Sequence, residues 1–365
     1  MQSSPRTLIL LAKKRNANLT SRISMGAEPR VEYLELAHRL GAELLDFDAV
    51  EASTSPPVRV SRRWMGLKWG LAWMGFLRRN DFDFVYATGE DVGIPLTILL
   101  RTARCYGKLV MVVHHAGTPK RRRILRMLGS RPYHSLVCLN TVQERILTGD
   151  IGLPRARVIR LHNWIDHHFF QPGAEETKLG GYMLSVGMED RDYDTLRAAA
   201  RHFDHPVRIV ASGWSPGAGF TPIEAGSAED NIEVVRGLSF AELRDLYAGA
   251  RFVVVPLKSS EKAAGVTTIL EAMAMGKAVV VSASPGIMDY VEDGVTGRVI
   301  PLGDPHALCN AIVEMWRNPE ALALMGKRNR AWIEESVNTD RYVSAVAERL
   351  SRGNGESHER IFISQ

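Results

Sequence analysis

The feature that most constrains this chain is an alternation of short apolar runs with helix-period segments, broken once near the middle. Leu8–Ala12, Leu44–Phe47, Phe84–Ala87, Leu109–Val113 and Leu136–Leu139 read as strands, with helical patterns such as Val31–Leu40 between them. Runs like Leu109–Val113 are apolar without alternation, which suits parallel strands buried on both faces. The stretch His162–Gly181 is polar, carries Gly and Pro, and reads as a linker. The rhythm then restarts at Tyr182–Val186, Val207–Ala211, Ile232–Val235, Phe252–Val255, Ala278–Val281 and Arg298–Ile300. Helical segments at Asp192–Ala200, Phe240–Tyr247, Thr267–Met275 and Ala307–Trp316 separate these runs. Strand–helix units joined by right-handed crossovers build open doubly wound sheets. The expected fold class is α/β, with two tandem doubly wound, Rossmann-like domains. Their ligand site is expected where the carboxyl ends of the two sheets meet.

Length and cysteine usage narrow the class. A chain of 365 residues suits two domains of roughly 150–200 residues each. No apolar run reaches the ~18 residues needed to span a bilayer. The start of the chain lacks a long apolar core with a small-residue cleavage site, so secretion is not expected. Cys105, Cys138 and Cys309 lie far apart, so no disulfide framework or zinc cluster is expected, and a reducing cytoplasm is the expected compartment. Charge divides the halves. Residues 1–175 carry 26 Lys and Arg against 15 Asp and Glu, whereas residues 176–365 carry 20 against 26. A basic half points to a phosphate-bearing partner, or to a solvated basic face with none.

The densest chemistry lies in SSEKAAGVTTILEAMAMGKAVVV, Ser259–Val281. A strand ends at Pro256, a loop runs to Gly265, and a helix begins near Thr267. Gly265 lets the backbone approach a ligand, and the amides of Thr267 and Thr268 sit where a helix leaves N–H groups unpaired. Such a start holds a diphosphate through its amides and dipole. Glu271 lies one turn on, and its two acceptor oxygens match the vicinal hydroxyls of a ribose. The plainer reading is an acid favoured in the first turns of any helix by the dipole alone.

Residues 182–304 resemble the donor-binding half of the family-4 glycosyltransferases of the GT-B fold. The stretches that carry the likeness are YMLSVG at Tyr182–Gly187, NIEVVRGLSFAELRDLYAGARFVVVP at Asn231–Pro256, and GVTTILEAMAMGKAVVVSASPGIMDYVEDGVTGRVIPLGD at Gly265–Asp304. VIRLHNWIDHHFFQPG, at Val158–Gly173, is similar to the segment that joins the two domains in that family, with Asp166 and Phe170 in place. The resemblance implies that Gly265, Val266, Thr267, Thr268 and Glu271 bind the donor's diphosphate and ribose. It implies that Gly237 and Leu238 pack the nucleobase, and that a basic group neutralises the diphosphate. The family's Arg position is Met188 here, and Arg191 stands near its Lys position; pairing with Asp190 or Asp194 is the plainer role for Arg191. The usual sugar-contacting Glu is Ala263 here. That leaves Glu261 reaching round, or the sugar held differently.

In the first half, His114 and His115 end the strand Leu109–Val113, and the resemblance implies that one of them contacts the donor's sugar. Glu90 and Asp91 follow the strand Phe84–Ala87 as further candidates. Lys13, Lys14 and Arg15 stand where the family often has paired glycines, and could meet an anionic acceptor. Arg62–Arg79 reads RRWMGLKWGLAWMGFLRR, tryptophans between basic ends, as an interfacial helix does. Lys120–Arg126, KRRRILR, could hold lipid phosphates. A helix packed on the first sheet and an ordinary basic loop are the plainer readings. No nucleic-acid fold signature accompanies these residues.

The expectation is therefore a metal-independent, cofactor-free glycosyltransferase acting with retention, cytoplasmic and peripheral at the inner face of the membrane. Residues 1–170 form its acceptor-side domain, 171–335 its nucleotide-sugar domain, and 336–365 a helix and frayed tail packing back on the first domain. His114, His115, Arg191 and Glu261 are the candidate catalytic residues. A nucleotide-sugar epimerase of the same architecture and a catalytically silent nucleotide-binding protein are the alternatives.

Overall fold

The computed structural model describes residues 5–173, 180–211 and 231–351. The chain divides into two compact units: residues 1–21, 30–162 and 339–365 in one, and residues 22–29 and 163–338 in the other. The expected frayed tail at 352–365 lies outside the described residues, as does the expected linker at 174–179.

The N-terminal unit is built on β1 (Thr7–Leu10), β2 (Glu43–Leu45), β3 (Phe84–Ala87), β4 (Leu109–Val113), β5 (Tyr133–Cys138) and β6 (Val158–Arg160), all parallel, in the order β2-β1-β3-β4-β5-β6. β1, β3, β4 and β5 are buried along their whole length, which is why their sequences run apolar rather than alternating. The second strand ends at Leu45, short of the expected Phe47. Asp46 there accepts the Ala49 amide at 3.1 Å and starts a helix, Phe47–Ala52. The helix Thr339–Ser351 closes this unit: the Tyr342 and Tyr86 hydroxyls share a buried 3.0 Å hydrogen bond, and Arg349 donates to Ser135 Oγ at 2.7 Å.

The expected single interfacial helix over Arg62–Arg79 is corrected. The chain forms two helices, Pro56–Met65 and Leu67–Leu77, broken at Gly66, whose φ of +88° suits a residue without Cβ. The second helix buries Gly70, Leu71, Ala72 and Gly75, and Trp73 and Phe76 pack on the core. Gly70 and Gly75 let it approach closely: an added Cβ would lie 2.6 Å from Val50 Cγ1 and 2.7 Å from Leu10 Cδ1 respectively. Most of its apolar side chains therefore face the core, although Leu77 at its end is exposed.

The C-terminal unit holds β7 (Tyr182–Val186), β8 (Val207–Val210), β9 (Ile232–Val235), β10 (Ala250–Val255), β11 (Val279–Ser282) and β12 (Gly297–Ile300), again all parallel. Their order is β12-β11-β10-β7-β8-β9, so the sheet winds outward in both directions from the β7–β10 pair. In such a sheet the carboxyl ends of that central pair form the topological switch point, where ligands bind. Alternation sorts the two faces: Val253, Val255, Val279 and Val281 join one core cluster, while Phe252, Val254 and Val280 join the other.

From Asn163 on, the described part of the expected linker belongs to this unit. Ile165, Phe169 and Phe170 are buried in its core, and Arg330 Nη1 donates to the carbonyls of His167, Phe170 and Ala274 at 3.1, 2.8 and 2.7 Å. No helix among the described residues is long and apolar enough to cross a membrane.

Candidate functional site

The switch point of the C-terminal sheet brings two loops together. The loop after β7 carries Gly187 and Arg191; the loop after β10 leads to Gly265 and the helix Val266–Ala274. They are zipped by backbone bonds, Asp192 N to Pro256 O at 3.0 Å and Lys258 N to Asp190 O at 2.9 Å. Lys262 Nζ adds ion pairs to Glu189 at 2.8 Å and Asp190 at 3.1 Å.

Arg191 is 8% exposed and lies against the helix start. Its Nε donates to Val186 O at 2.9 Å, Nη1 to Glu189 O at 3.0 Å and Nη2 to Thr268 Oγ1 at 2.9 Å. Two of five N–H groups on a guanidinium therefore remain for another acceptor. Among the described residues no carboxylate lies within ion-pair distance of Arg191, so neither Asp190 nor Asp194 takes its charge. Burial pulls its pKa down, but a guanidinium stays charged at neutral pH. Two glycines make room for it. A Cβ at Gly187 (φ +101°) would stand 2.6 Å from Nη2, and one at Gly265 (φ +87°) 3.3 Å from Nη1.

The helix behind Gly265 starts without a side-chain cap. Val266 N is taken by Ala263 O at 3.2 Å, but the amides of Thr267 and Thr268 have no acceptor among the described residues. Unpaired first-turn amides beside a buried cation that has no carboxylate at ion-pair distance among the described residues form an anion site. Thr267 is exposed; the Thr268 hydroxyl donates to Val186 O at 3.2 Å and fixes the helix start to β7.

Glu271 does not share the exposure of Thr267. It is 6% exposed, and its Oε2 accepts the Tyr247 hydroxyl at 2.7 Å. Burial raises its pKa to about 7, an effect held back by the Tyr247 hydrogen bond and the charge of Arg191. Burial also pushes Tyr247 up, with the neighbouring acid adding to it. Tyr247 was not singled out by sequence reasoning. Its only signal is a hydroxyl-bearing ring four residues after Leu243, on the face of Phe240–Gly249 that packs inward.

The other candidates fall at different places. Gly237 is exposed with φ +72°, and Leu238 packs on the core just before the capped start of Phe240–Gly249. Glu261 is exposed on the loop before the helix, and Ala263 packs against the core. In the N-terminal unit His114 and His115 are half-buried after β4. Their amides both donate to Glu90 Oε1, at 2.9 and 2.5 Å, and His114 Nε2 lies 3.2 Å from Thr88 O. Glu90, 3% exposed, thus fixes the backbone of the histidine loop. The three basic residues after β1 have partners within the unit: Lys14 with Glu51 at 2.5 Å, Arg15 with Asp46 at 2.6 Å, and Lys13 over the Tyr33 ring at 4.9 Å.

The chain is similar to known glycosyltransferases in both sequence and fold. Residues 189–318 match the family model described as glycosyl transferases group 1. The O-antigen chain mannosyltransferase C of Escherichia coli is 30% identical over 288 residues, 73% of this chain and 74% of that protein. Among solved structures, Anabaena HepE in complex with UDP and glucose superposes with a TM-score of 0.69 at 15% identity, over 95% of this chain and 99% of that one. Sucrose-phosphate synthase of Thermosynechococcus elongatus gives 0.68 at 14% identity, over 94% and 98%. The chain is a member of the group 1 glycosyltransferases and has the GT-B fold.

Proposed function

We propose that this glycosyltransferase takes its sugar from a nucleoside-diphosphate donor held at the β7–β10 switch point. The observation that carries the reading is the buried Arg191 charge, with no carboxylate at ion-pair distance among the described residues, beside the unpaired amides of Thr267 and Thr268. Desolvating an unpaired cation is costly, and a diphosphate offsets that cost when it binds. Glu271, one turn deeper, accepts from a ribose hydroxyl through Oε1, since Oε2 is held by Tyr247. The similar fold of Anabaena HepE, solved in complex with UDP and glucose and with UDP-glucose, supports a donor of this class.

The reaction is transfer of a hexosyl group with retention and without a metal ion. The bond from the anomeric carbon to the diphosphate oxygen breaks, and its electron pair leaves with the nucleoside diphosphate. The acceptor hydroxyl forms the new bond on the same face of the sugar, and the departing phosphate takes its proton. Arg191 and the helix start stabilise the negative charge that grows on the leaving group. Gly237 and Leu238 flank the nucleobase and Glu261 belongs to the sugar side; in the N-terminal unit, His114 and His115 are the candidates that the resemblance implies. The acceptor is a lipid-linked or other glycan, or a small molecule.

Thermal stabilisation by UDP, GDP and ADP, followed by incubation of the matching sugar nucleotide with and without acceptor, tests this. A nucleoside diphosphate that raises the midpoint in the wild type but not in Arg191→Met is expected. No stabilisation by any of the three, or conversion of the sugar nucleotide to an isomer without acceptor, overturns the reading.

A further inference from the structure

We propose that the outer face of the helix Pro56–Met65, with the start of the helix Pro119–Leu128, docks the N-terminal unit on an anionic lipid surface. The helix Pro56–Met65 turns Val58 and Ser61 inward, and Arg62 with them: its Nη1 donates to Glu51 O at 2.8 Å. What remains outside is two parallel rows. Val60 and Trp64, four residues apart, are 58% and 78% exposed, and Met65 beside them is 48% exposed. Arg59 and Arg63, also four apart, run alongside and are exposed.

Large apolar side chains in a row are uncommon on a surface that faces only water. Their pairing with a basic row is the pattern of an interfacial helix. The apolar row enters the boundary between headgroups and acyl chains, while the arginines reach the phosphates. The charge of the face is one-signed: no Asp or Glu occurs between Glu51 and Asp81.

The second helix joins this face through Asp91. Lys68, at the start of Leu67–Leu77, and Arg121, at the start of Pro119–Leu128, both pair with Asp91, the latter at 3.3 Å. Burial alone would raise Asp91, but these two cations hold it below the usual carboxylate range. The ion-paired trio brings the end of Pro56–Met65 and the start of Pro119–Leu128 to one side of the N-terminal unit. On the second helix Lys120, Arg123 and Met127 share a face by their spacing and are exposed, Met127 at 67%. Among the described residues Arg59, Arg63, Lys120 and Arg123 form no ion pair, so their charge is available to lipid phosphates. A nucleic acid offers no apolar layer for Val60 and Met65, and a protein partner would have to match both the apolar row and the one-signed basic row. The bilayer surface uses all of them.

The test is co-sedimentation of the full chain with phosphatidylcholine vesicles, with and without phosphatidylglycerol, at low ionic strength. The wild type is expected to sediment with the anionic vesicles only. The double variant Arg59→Glu/Arg63→Glu and the single variant Trp64→Ser are each expected to lower the partition coefficient by about tenfold or more. These positions are exposed, so thermal midpoints and nucleoside-diphosphate binding stay at wild-type values, which separates this proposal from the donor-site reading. Failure of the wild type to sediment with anionic vesicles overturns the proposal, as does equal sedimentation of wild type and variants. If Trp64→Ser instead dissociates an oligomer in sedimentation velocity and leaves vesicle binding intact, the face is a contact between copies, and the proposal is overturned.

Discussion

Tyr247 donates its hydroxyl to Glu271 Oε2 across 2.7 Å, and both side chains are buried. One oxygen of the acid is therefore committed inside the fold, and only the other can meet a ligand. The pair also sets a titration near neutrality, since burial brings Glu271 to about 7.

The first prediction concerns stability against pH. The folded-state pKa of Glu271, about 7, lies above the ordinary value of 4.5 for a glutamate. Between these values the folded protein holds a proton that the unfolded chain releases, so stability falls as pH rises through the window and levels off above it. The loss is on the order of 3 kcal/mol. Glu271→Gln, which keeps an acceptor for Tyr247, is expected to abolish that fall. Urea denaturation of both proteins from acid to mildly alkaline pH measures it, and parallel curves would contradict the assignment.

The second concerns the donor. If the ionised acid accepts a ribose hydroxyl, nucleoside-diphosphate affinity rises with pH through about 7. Tyr247→Phe removes the hydrogen bond that holds the pKa down, so the midpoint of that rise moves to higher pH. Calorimetric titration with UDP, GDP and ADP at a series of pH values reads the shift. A purely structural tyrosine would lower stability and leave the midpoint in place.

Arg191→Met is expected to weaken nucleoside-diphosphate binding on the order of a hundredfold, because a desolvated charge pair is lost. Affinity for the corresponding nucleoside, which lacks phosphates, is expected to stay within about twofold of wild type, since charge is then not at issue. Equal losses for both ligands would mean that the substitution acts through the fold.

Gly187→Ala places a Cβ 2.6 Å from Arg191 Nη2 at a φ of +101°. The expected result is a stability loss of about 1–3 kcal/mol from strain, together with weakened diphosphate binding as the guanidinium is displaced. Gly181→Ala, where nothing lies within 4 Å of the new Cβ, serves as the comparison and should leave both within error.

In the N-terminal unit, Glu90→Ala leaves the His114 and His115 amides without their shared acceptor. A stability loss of about 2–4 kcal/mol is expected for two charge-assisted bonds, with transfer rate reduced and nucleoside-diphosphate affinity unchanged. Denaturation and steady-state assays of one preparation separate these effects.

Much of this architecture is legible in the sequence because parallel strands buried on both faces write themselves as apolar runs. Phe84–Ala87, Leu109–Val113, Tyr182–Val186 and Ile232–Val235 agree residue for residue with β3, β4, β7 and β9. β5 is longer than its apolar run because His134 and Ser135 are buried polar residues, held by Arg349 more than 200 positions away. No local pattern announces a partner at that distance. Asn163–Gly173 looks like a linker because its few aromatics lie among polar residues, yet Phe169 and Phe170 seat it in the core. Gly265 and the helix start of the candidate site are visible in sequence because glycine before an uncapped helix is a local signal, whereas Arg191 is reached only through the family resemblance. Tyr247 is not, because its role depends on which way a helix turns when it packs.

The helix Thr339–Ser351 belongs to the N-terminal unit although it follows the whole of the other unit in the chain. Tyr86 and Ser135 wait for Tyr342 and Arg349, so the packing of the N-terminal sheet is completed only after this helix has left the ribosome. Every residue of the other unit precedes that helix. During synthesis the later-encoded half therefore has its full complement of chain first, and the earlier-encoded half matures second.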